Sequence, residues 1–293
     1  MGHKKRLRLD NGETIAYQEK GHGDKVIIFI HGNMCSSDHF SSLLGGINQE
    51  KYTCYALDLR GFGDSTYHTP IESVSDLAKD VYAFINKMQL NKVSLVGWSA
   101  GGPVCLQLCV DHPNVVKEII LLSSVGLKGD PLLRKNKNGE ITEGYYTSKE
   151  EMALDPEVFI PAQAIQKNDF QTISSMWNVG IYTNQKPSPT KNETLVNETL
   201  KQRNLVDVYW ALAHFNLSME HNGYIHGNGY IKQIVVPVLS FWGEQDPIVK
   251  LKAVQDTVHF LPNASLRILK ECGHCPLIDS PDEIIKGMEE IIS

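Results

Sequence analysis

Positive charge is sparse and scattered in this 293-residue chain: 28 lysines and arginines face 34 aspartates and glutamates, for a net charge of −6. The one basic stretch is the short Lys4-Lys5-Arg6-Leu7-Arg8. A nucleic-acid surface needs a clustered positive field, so that class of partner is set aside. Long apolar runs are missing as well. No stretch reaches the ~20 residues that span a bilayer. The charged start runs into the turn Leu9-Asp10-Asn11-Gly12, not into the apolar run of a signal peptide. No membrane span and a cytoplasmic location are therefore expected. Gly2 lacks the Ser or Thr that a myristoylation motif needs at position 6, which is Arg6. Cysteine is scarce, with six residues, and in a long chain without secretion the expectation is free thiols. The Asn-x-Ser/Thr triplets at Asn192, Asn197, Asn216 and Asn263 are then chance matches. No internal repeat or low-complexity tract is visible.

What is present is enough apolar material for a substantial core. At 42% hydrophobic residues, the length suits one α/β domain or a domain carrying an insertion. Lys5 to Lys20 folds around Asp10-Asn11-Gly12 as a hairpin, because Asn-Gly accepts the positive φ of a tight turn. Continuous apolar runs follow at residues 25–30, 52–58, 92–97, 116–123, 236–243 and 265–269. Runs without alternation indicate strands buried on both faces, as in parallel sheets. Helical stripes lie between them, over 74–89 with Ser73 as N-cap, and over 100–110, 251–260 and 282–292. Alternating strands and helices predict a mostly parallel central sheet flanked by helices. One interval breaks the alternation. Roughly a hundred residues after Ser124 show no buried-strand signal, too many for a loop. Phe170, Ile173, Met176 and Trp177 fit one helix face there, and Leu205, Val208, Tyr209, Leu212 and Phe215 another. A mainly helical cap over 125–231, inserted after the sixth strand, is expected. It would divide a core made of 1–124 and 232–293.

Gly97-Trp98-Ser99-Ala100-Gly101 is a G-x-S-x-G pentapeptide lying between an apolar strand and a helix. A strand-to-helix turn this sharp exposes the serine hydroxyl above the sheet, and its flanking glycines let other backbone approach. A serine needs a base to take its proton. His274 follows the last strand, and Asp246 follows the strand before it, with Glu244 as runner-up. The order Ser…Asp…His suits this architecture. An oxyanion would be held by the backbone N–H groups of Ala100 and Asn33, with Met34 the alternative to Asn33. His31 is read as a loop-holding residue in preference to a base.

These motifs resemble those of the α/β-hydrolases. The markers are His31-Gly32-Asn33-Met34, DLRGFGDS at 58–65, GWSAGG at 97–102, WGEQDPIV at 242–249 and GHCPLIDSPDE at 273–283. The resemblance implies the α/β-hydrolase fold and a serine hydrolase of the esterase/lipase type, with no metal or organic cofactor and a small-molecule substrate. Within DLRGFGDS, Arg60 and Asp64 usually shape structure in such enzymes. Haloalkane dehalogenases and epoxide hydrolases carry an Asp nucleophile where this chain has Ser99, so their reactions are not expected. GWSAGG is also similar to the lipase-box region of intracellular polyhydroxyalkanoate depolymerases.

Other readings compete at particular residues. Cys272-Gly273-His274-Cys275 could be a thiol-exchange motif, but such a motif opens a helix after the first strand of its unit, whereas this one follows the last strand and meets Pro276. Cys272 and Cys275 are read as bystanders, and Cys105 and Cys109 as core. His214, His221 and His226 lack a spacing that would make a metal site. Met34, Trp98, Met176, Trp177, Tyr182, Trp210 and Phe215 are candidate pocket residues, suiting apolar acyl esters of short to medium length. Lactonases, thioesterases, C–C bond hydrolases and iminopeptidases use the same triad, although HGNM departs from the HGGPG loop of the last. A ligand receptor of this fold is the rival outside enzymes.

Overall fold

The computed structural model describes residues 4–136 and 138–292, so Gly2 lies outside the described residues. Ten strands occur among them: β1 (Lys5–Arg8), β2 (Thr14–Gly21), β3 (Lys25–Ile30), β4 (Tyr52–Leu57), β5 (Val93–Trp98), β6 (Val116–Leu122), β7 (Leu133–Lys135), β8 (Ile141–Tyr145), β9 (Val238–Gly243) and β10 (Ala264–Leu269). Eight form one sheet in the order β1-β2-β4-β3-β5-β6-β9-β10. Pairing is antiparallel at β1–β2 and β2–β4 and parallel across the rest.

The helices are α1 (Ser41–Gly46), α2 (Val74–Lys87), α3 (Gly101–Asp111), α4 (Lys149–Met152), α5 (Pro156–Gln166), α6 (Phe170–Gly180), α7 (Pro189–Thr199), α8 (Leu205–Ala213), α9 (Leu251–Phe260), α10 (Pro276–Asp279) and α11 (Pro281–Ile291). The α/β-hydrolase architecture expected from the sequence, a mostly parallel sheet flanked by helices, is the one observed.

Local chemistry accounts for the element boundaries. The β1–β2 turn closes with Leu9 N–H donating to Glu13 O at 2.7 Å, and Gly12 supplies a φ of +91°. At the start of α2 the Ser73 N–H donates to Asp76 Oδ2 at 3.0 Å, so the expected N-cap is in place. Strands β3 and β5 are central, and their successive side chains serve opposite layers. Ile28, Ile30 and Leu95 pack with α2 and α3, including Cys105 and Cys109. Ile27, Phe29, Val96 and Trp98 pack with α1, α10 and α11. Both layers hold the C-terminal strand ends in register, where ligand crevices form in parallel sheets.

The segment between β6 and β9 holds α4 to α8, and also the β7–β8 hairpin. The sequence reading finds no buried-strand signal there and expects a mainly helical segment, and the hairpin is an addition to it. Its strands are largely exposed, so they lack the apolar signature of buried ones.

Candidate active site

Ser99 stands between β5 and α3 with φ +52°, a left-handed conformation that costs a non-glycine residue energy. Its surroundings leave no room for a relaxed turn. A Cβ on Gly97 would lie 2.7 Å from Cys105 Sγ, one on Gly101 2.1 Å from Ile30 O, and one on Gly32 2.9 Å from Ser99 Cβ. The glycines allow β3, β5 and α3 to converge on the serine. The Ser99 N–H donates to Leu122 O at 3.0 Å, and its C=O accepts from Gly102 and Val125.

His274 and Asp246 meet Ser99 in a line. Ser99 Oγ is 3.0 Å from His274 Nε2, and His274 Nδ1 is 2.9 Å from Asp246 Oδ2 and 3.0 Å from Oδ1. With its proton on Nδ1, the ring donates to Asp246 and accepts from Ser99. Asp246 Oδ1 also accepts the Ile248 and Val249 N–H groups, at 2.9 and 3.0 Å. Behind the imidazole, Trp98 Nε1 donates to His274 O at 2.9 Å. Asp246 and His274 are buried. Glu244, the runner-up acid, is exposed and instead accepts the Glu271 N–H at 2.8 Å.

Two residues with unengaged backbone donors border the same cavity. The N–H groups of Asn33 and Ala100 donate to no acceptor among the described residues, and both residues line the cavity that contains Ser99. The Met34 N–H is already engaged, donating to Asn33 Oδ1 at 3.0 Å. Between the two sequence alternatives, Asn33 is the one with a free donor.

His31 sits beneath this loop, fully buried. Its Nδ1 donates to Gly32 O at 2.8 Å and its Nε2 accepts the Leu59 N–H at 3.0 Å, as a loop-holding residue should. Burial lowers its pKa to about 4, and that of the neighbouring His39 to about 3. Both are neutral when folded and bind protons near pH 6.5 when unfolded. Their contribution is complete above pH 6.5 and is lost as the pH falls towards 4. For His31 the loss is on the order of 3 kcal/mol. Urea midpoints at pH 7.5, 6 and 5 should fall steeply, and His39→Gln should flatten the decline. A pH-independent midpoint would contradict this account.

The cavity has a volume of about 590 Å³, with Met34, Met176 and Trp177 among its apolar walls. Asp130 and Lys250 are its charged lining residues apart from the histidine. The Asp130 carboxylate has no hydrogen-bond partner among the described residues. It is open to the cavity yet surrounded by protein, and desolvation raises its pKa, aided by Glu157 and opposed by His274 and Lys135.

The model of the alpha/beta hydrolase fold family matches residues 25–152 and 182–281. The chain belongs to that family. It is 25% identical over 280 residues to the dihydrolipoyllysine-residue acetyltransferase component of the acetoin cleaving system of Cupriavidus necator. That match covers 93% of this chain and 65% of the relative, so the chain spans less than two thirds of that protein. It is 20% identical to a 2-hydroxy-6-oxononadienedioate/2-hydroxy-6-oxononatrienedioate hydrolase of Pseudomonas sp., covering 93% of this chain and 90% of that one. An esterase from Exiguobacterium antarcticum superposes with a TM-score of 0.74 at 16% identity, over 100% and 99% of the two chains.

Several residues of this alpha/beta hydrolase stand away from where sequence reasoning put them. Trp98, Tyr182, Trp210 and Phe215 do not line the cavity. Trp98 lies under the His274 main chain, and Tyr182 stacks behind Trp177 with ring centroids 5.4 Å apart. Trp210 packs on His214 at 4.0 Å, and Phe215 belongs to the core. Burial and aromatic character alone cannot distinguish a wall from its backing. The wall residues that the sequence reading misses include Val125, Gly126, Asp130, Ile248 and Lys250. They follow β6 and β9, and their position after parallel strands was the available signal.

The remaining candidates fall into place individually. Cys272 and Cys275 are free and buried, and burial pushes the Cys272 thiol up to about 12, opposite to a reactive thiol. His214 bonds Trp210 O, while the His221 and His226 rings touch each other. No group of three potential metal ligands is gathered among the described residues. No described helix is long and apolar enough to cross a membrane.

Proposed function

We propose that this protein is a serine hydrolase that cleaves carboxylic esters through an acyl-enzyme. The observation that carries the reading is the continuous line from Ser99 through His274 to Asp246, opening on a cavity with two unengaged N–H groups. Ser99 Oγ attacks the ester carbonyl while His274 Nε2 takes its proton. The oxyanion accepts from Asn33 and Ala100, and each donor is typically worth ~10²–10³ in rate. Asp246 holds the tautomer and balances the imidazolium. His274 then protonates the departing alcohol and afterwards draws a proton from water, which attacks the acyl carbonyl and frees Ser99.

Residues 125–231 act in this reading as a cap over the site. The apolar walls support acyl groups of short to medium length, including hydroxyalkanoates. Six free, buried cysteines are in keeping with a reducing, cytoplasmic setting.

Rapid mixing with p-nitrophenyl esters from acetate to octanoate, alongside a hydroxybutyrate dimer, tests the reading. A burst of p-nitrophenol close to one equivalent per chain is expected, falling off at the longest acyl groups. A fluorophosphonate should add covalently to Ser99, read as a peptide mass shift. An unlabelled Ser99 with no ester turnover would overturn the proposal and favour C–C bond hydrolysis or a receptor.

A further inference from the structure

The free N–H of Asn33 lies in a loop held by His31 and also by a distant segment of the chain. The next residue, Met34, has φ +60°, the left-handed region that a branchless but bulky side chain rarely adopts. Its backbone is restrained on both sides of the Cα. The Met34 N–H donates to Asn33 Oδ1 at 3.0 Å, and the Met34 C=O accepts from Thr199 Oγ1 at 2.6 Å. Thr199 ends α7, far away in sequence, in the segment that crosses the mouth of the sheet.

A second tie reaches the same loop from three residues further on. Gln202 Nε2 donates to Asn33 Oδ1 at 2.8 Å and to Asn204 Oδ1 at 2.9 Å. Asn204 Nδ2 in turn donates to Arg60 O at 2.7 Å. The amide orientations are fixed from both ends. Arg60 O can only accept, so Asn204 presents its NH₂ to Arg60 and its oxygen to Gln202. The Met34 N–H can only donate, so Asn33 presents its oxygen. Gln202 must therefore offer its NH₂ to both neighbours. Thr199, Gln202 and Asn204 are all buried, where an unmade hydrogen bond is costly.

The same segment is anchored elsewhere. The Arg203 N–H donates to Gly61 O at 2.9 Å, and Lys201 Nζ pairs with Asp64 at 2.9 Å. Asn204 fits against Gly61 only because that residue has no side chain, since a Cβ there would lie 2.5 Å from Asn204 Nδ2. The DLRGFGDS loop is thus the seat on which residues 201–204 dock. From that seat, Thr199 reaches the Met34 carbonyl and Gln202 the Asn33 side chain.

We propose that Thr199 and Gln202 are positioning residues that aim the Asn33 N–H, so that docking of the 199–204 segment completes the oxyanion site. The inference rests on the ester-hydrolase reading of that site. Neither side chain need touch substrate. Each restrains a neighbour of the donor, Thr199 the Met34 carbonyl and Gln202 the side chain of Asn33 itself. An oxyanion donor acts mainly on the transition state, so loss of its aim should appear in kcat and spare KM.

The test uses the full chain and p-nitrophenyl butyrate, with Gln202→Ala, Thr199→Val, Asn33→Ala and the double variant N33A/Q202A. Gln202→Ala and Thr199→Val should each lower kcat about tenfold, within the ~10²–10³ ascribed to a whole donor, while KM moves less than about threefold. A trifluoromethyl ketone, which forms a charged tetrahedral adduct, should lose affinity in parallel with kcat. In the Asn33→Ala background, Gln202→Ala should add little, because its contact with the loop is already gone. Thr199→Val keeps the side-chain volume, so it carries the test where Gln202→Ala does not fold. Folded variants with unchanged kcat, a loss confined to KM, or full additivity in the double variant would overturn the proposal. Wild-type turnover that persists in Ser99→Ala would instead overturn the ester reading itself.

Discussion

Ser99→Ala should lower kcat on p-nitrophenyl esters by about 10⁵–10⁶-fold, with KM close to that of the unaltered chain. In the proposed mechanism the hydroxyl forms the covalent bond, and its removal leaves the cavity walls and the Asn33 and Ala100 N–H groups in place. Residual turnover should therefore remain above that of water. His274→Ala should fall about as far, and the S99A/H274A pair should fall no further than either single change. That equality follows from the 3.0 Å contact between Ser99 Oγ and His274 Nε2, which makes the two side chains one reacting unit. Full activity in either single variant would remove the mechanism altogether. Two independent losses that multiply in the pair would show that the contact is structural.

Asp246→Asn should cost about 10⁴ in kcat, equivalent to about 5.5 kcal/mol, with the fold unaffected. The size follows from how the carboxylate is held. Oδ1 accepts the Ile248 and Val249 N–H groups, so an amide placed there must keep its oxygen on that side. Its NH₂ then occupies the Oδ2 position, 2.9 Å from His274 Nδ1. Two donors cannot share that contact. The remaining oxygen, 3.0 Å from Nδ1, already accepts two N–H groups, so the ring is driven to shift its proton to Nε2. A proton on Nε2 points at Ser99, and the base can no longer accept. The check is the pH–rate profile together with NMR of the His274 ring. A variant that retains the Nδ1–H tautomer and full rate would show that Asp246 does not set it.

Much of this site was readable in the chain because its parts are tied to punctuation. Ser99, Asp246 and His274 each follow a continuous apolar run, and the glycines around Ser99 serve backbone approaches that no other residue permits. The Asn33 donor was readable as one of two, and the choice needed the Met34 N–H to be seen engaged. The pocket was read less well. Aromatic side chains drew attention, but Tyr182 backs Trp177 and Trp210 packs on His214, neither lining the cavity, whereas Val125, Gly126 and Ile248 form its walls. The insertion was harder still. Helix α7 is polar along much of its length, and α5 contains Pro161, so neither shows a clean apolar stripe. The β7–β8 hairpin did carry a signal in Asn138-Gly139, the same pair of residues that marks the first turn, with φ +81° at the glycine. The ties from Thr199 and Gln202 had none, since amide contacts across more than 160 residues leave no periodic trace.

Strand β6 pairs with β9, yet the whole helical segment separates them along the chain. During synthesis the first six strands emerge together and can assemble, while the outer rim of β6 waits for Val238 to be made. An apolar strand with open N–H and C=O groups is a template for foreign strands. The growing chain is thus most at risk of clumping through that interval, and Ser99 lacks its contact with His274, and through it Asp246, because both are translated later. Emergence of β9 and β10 seals the sheet and brings Asp246 and His274 to Ser99 in a single event.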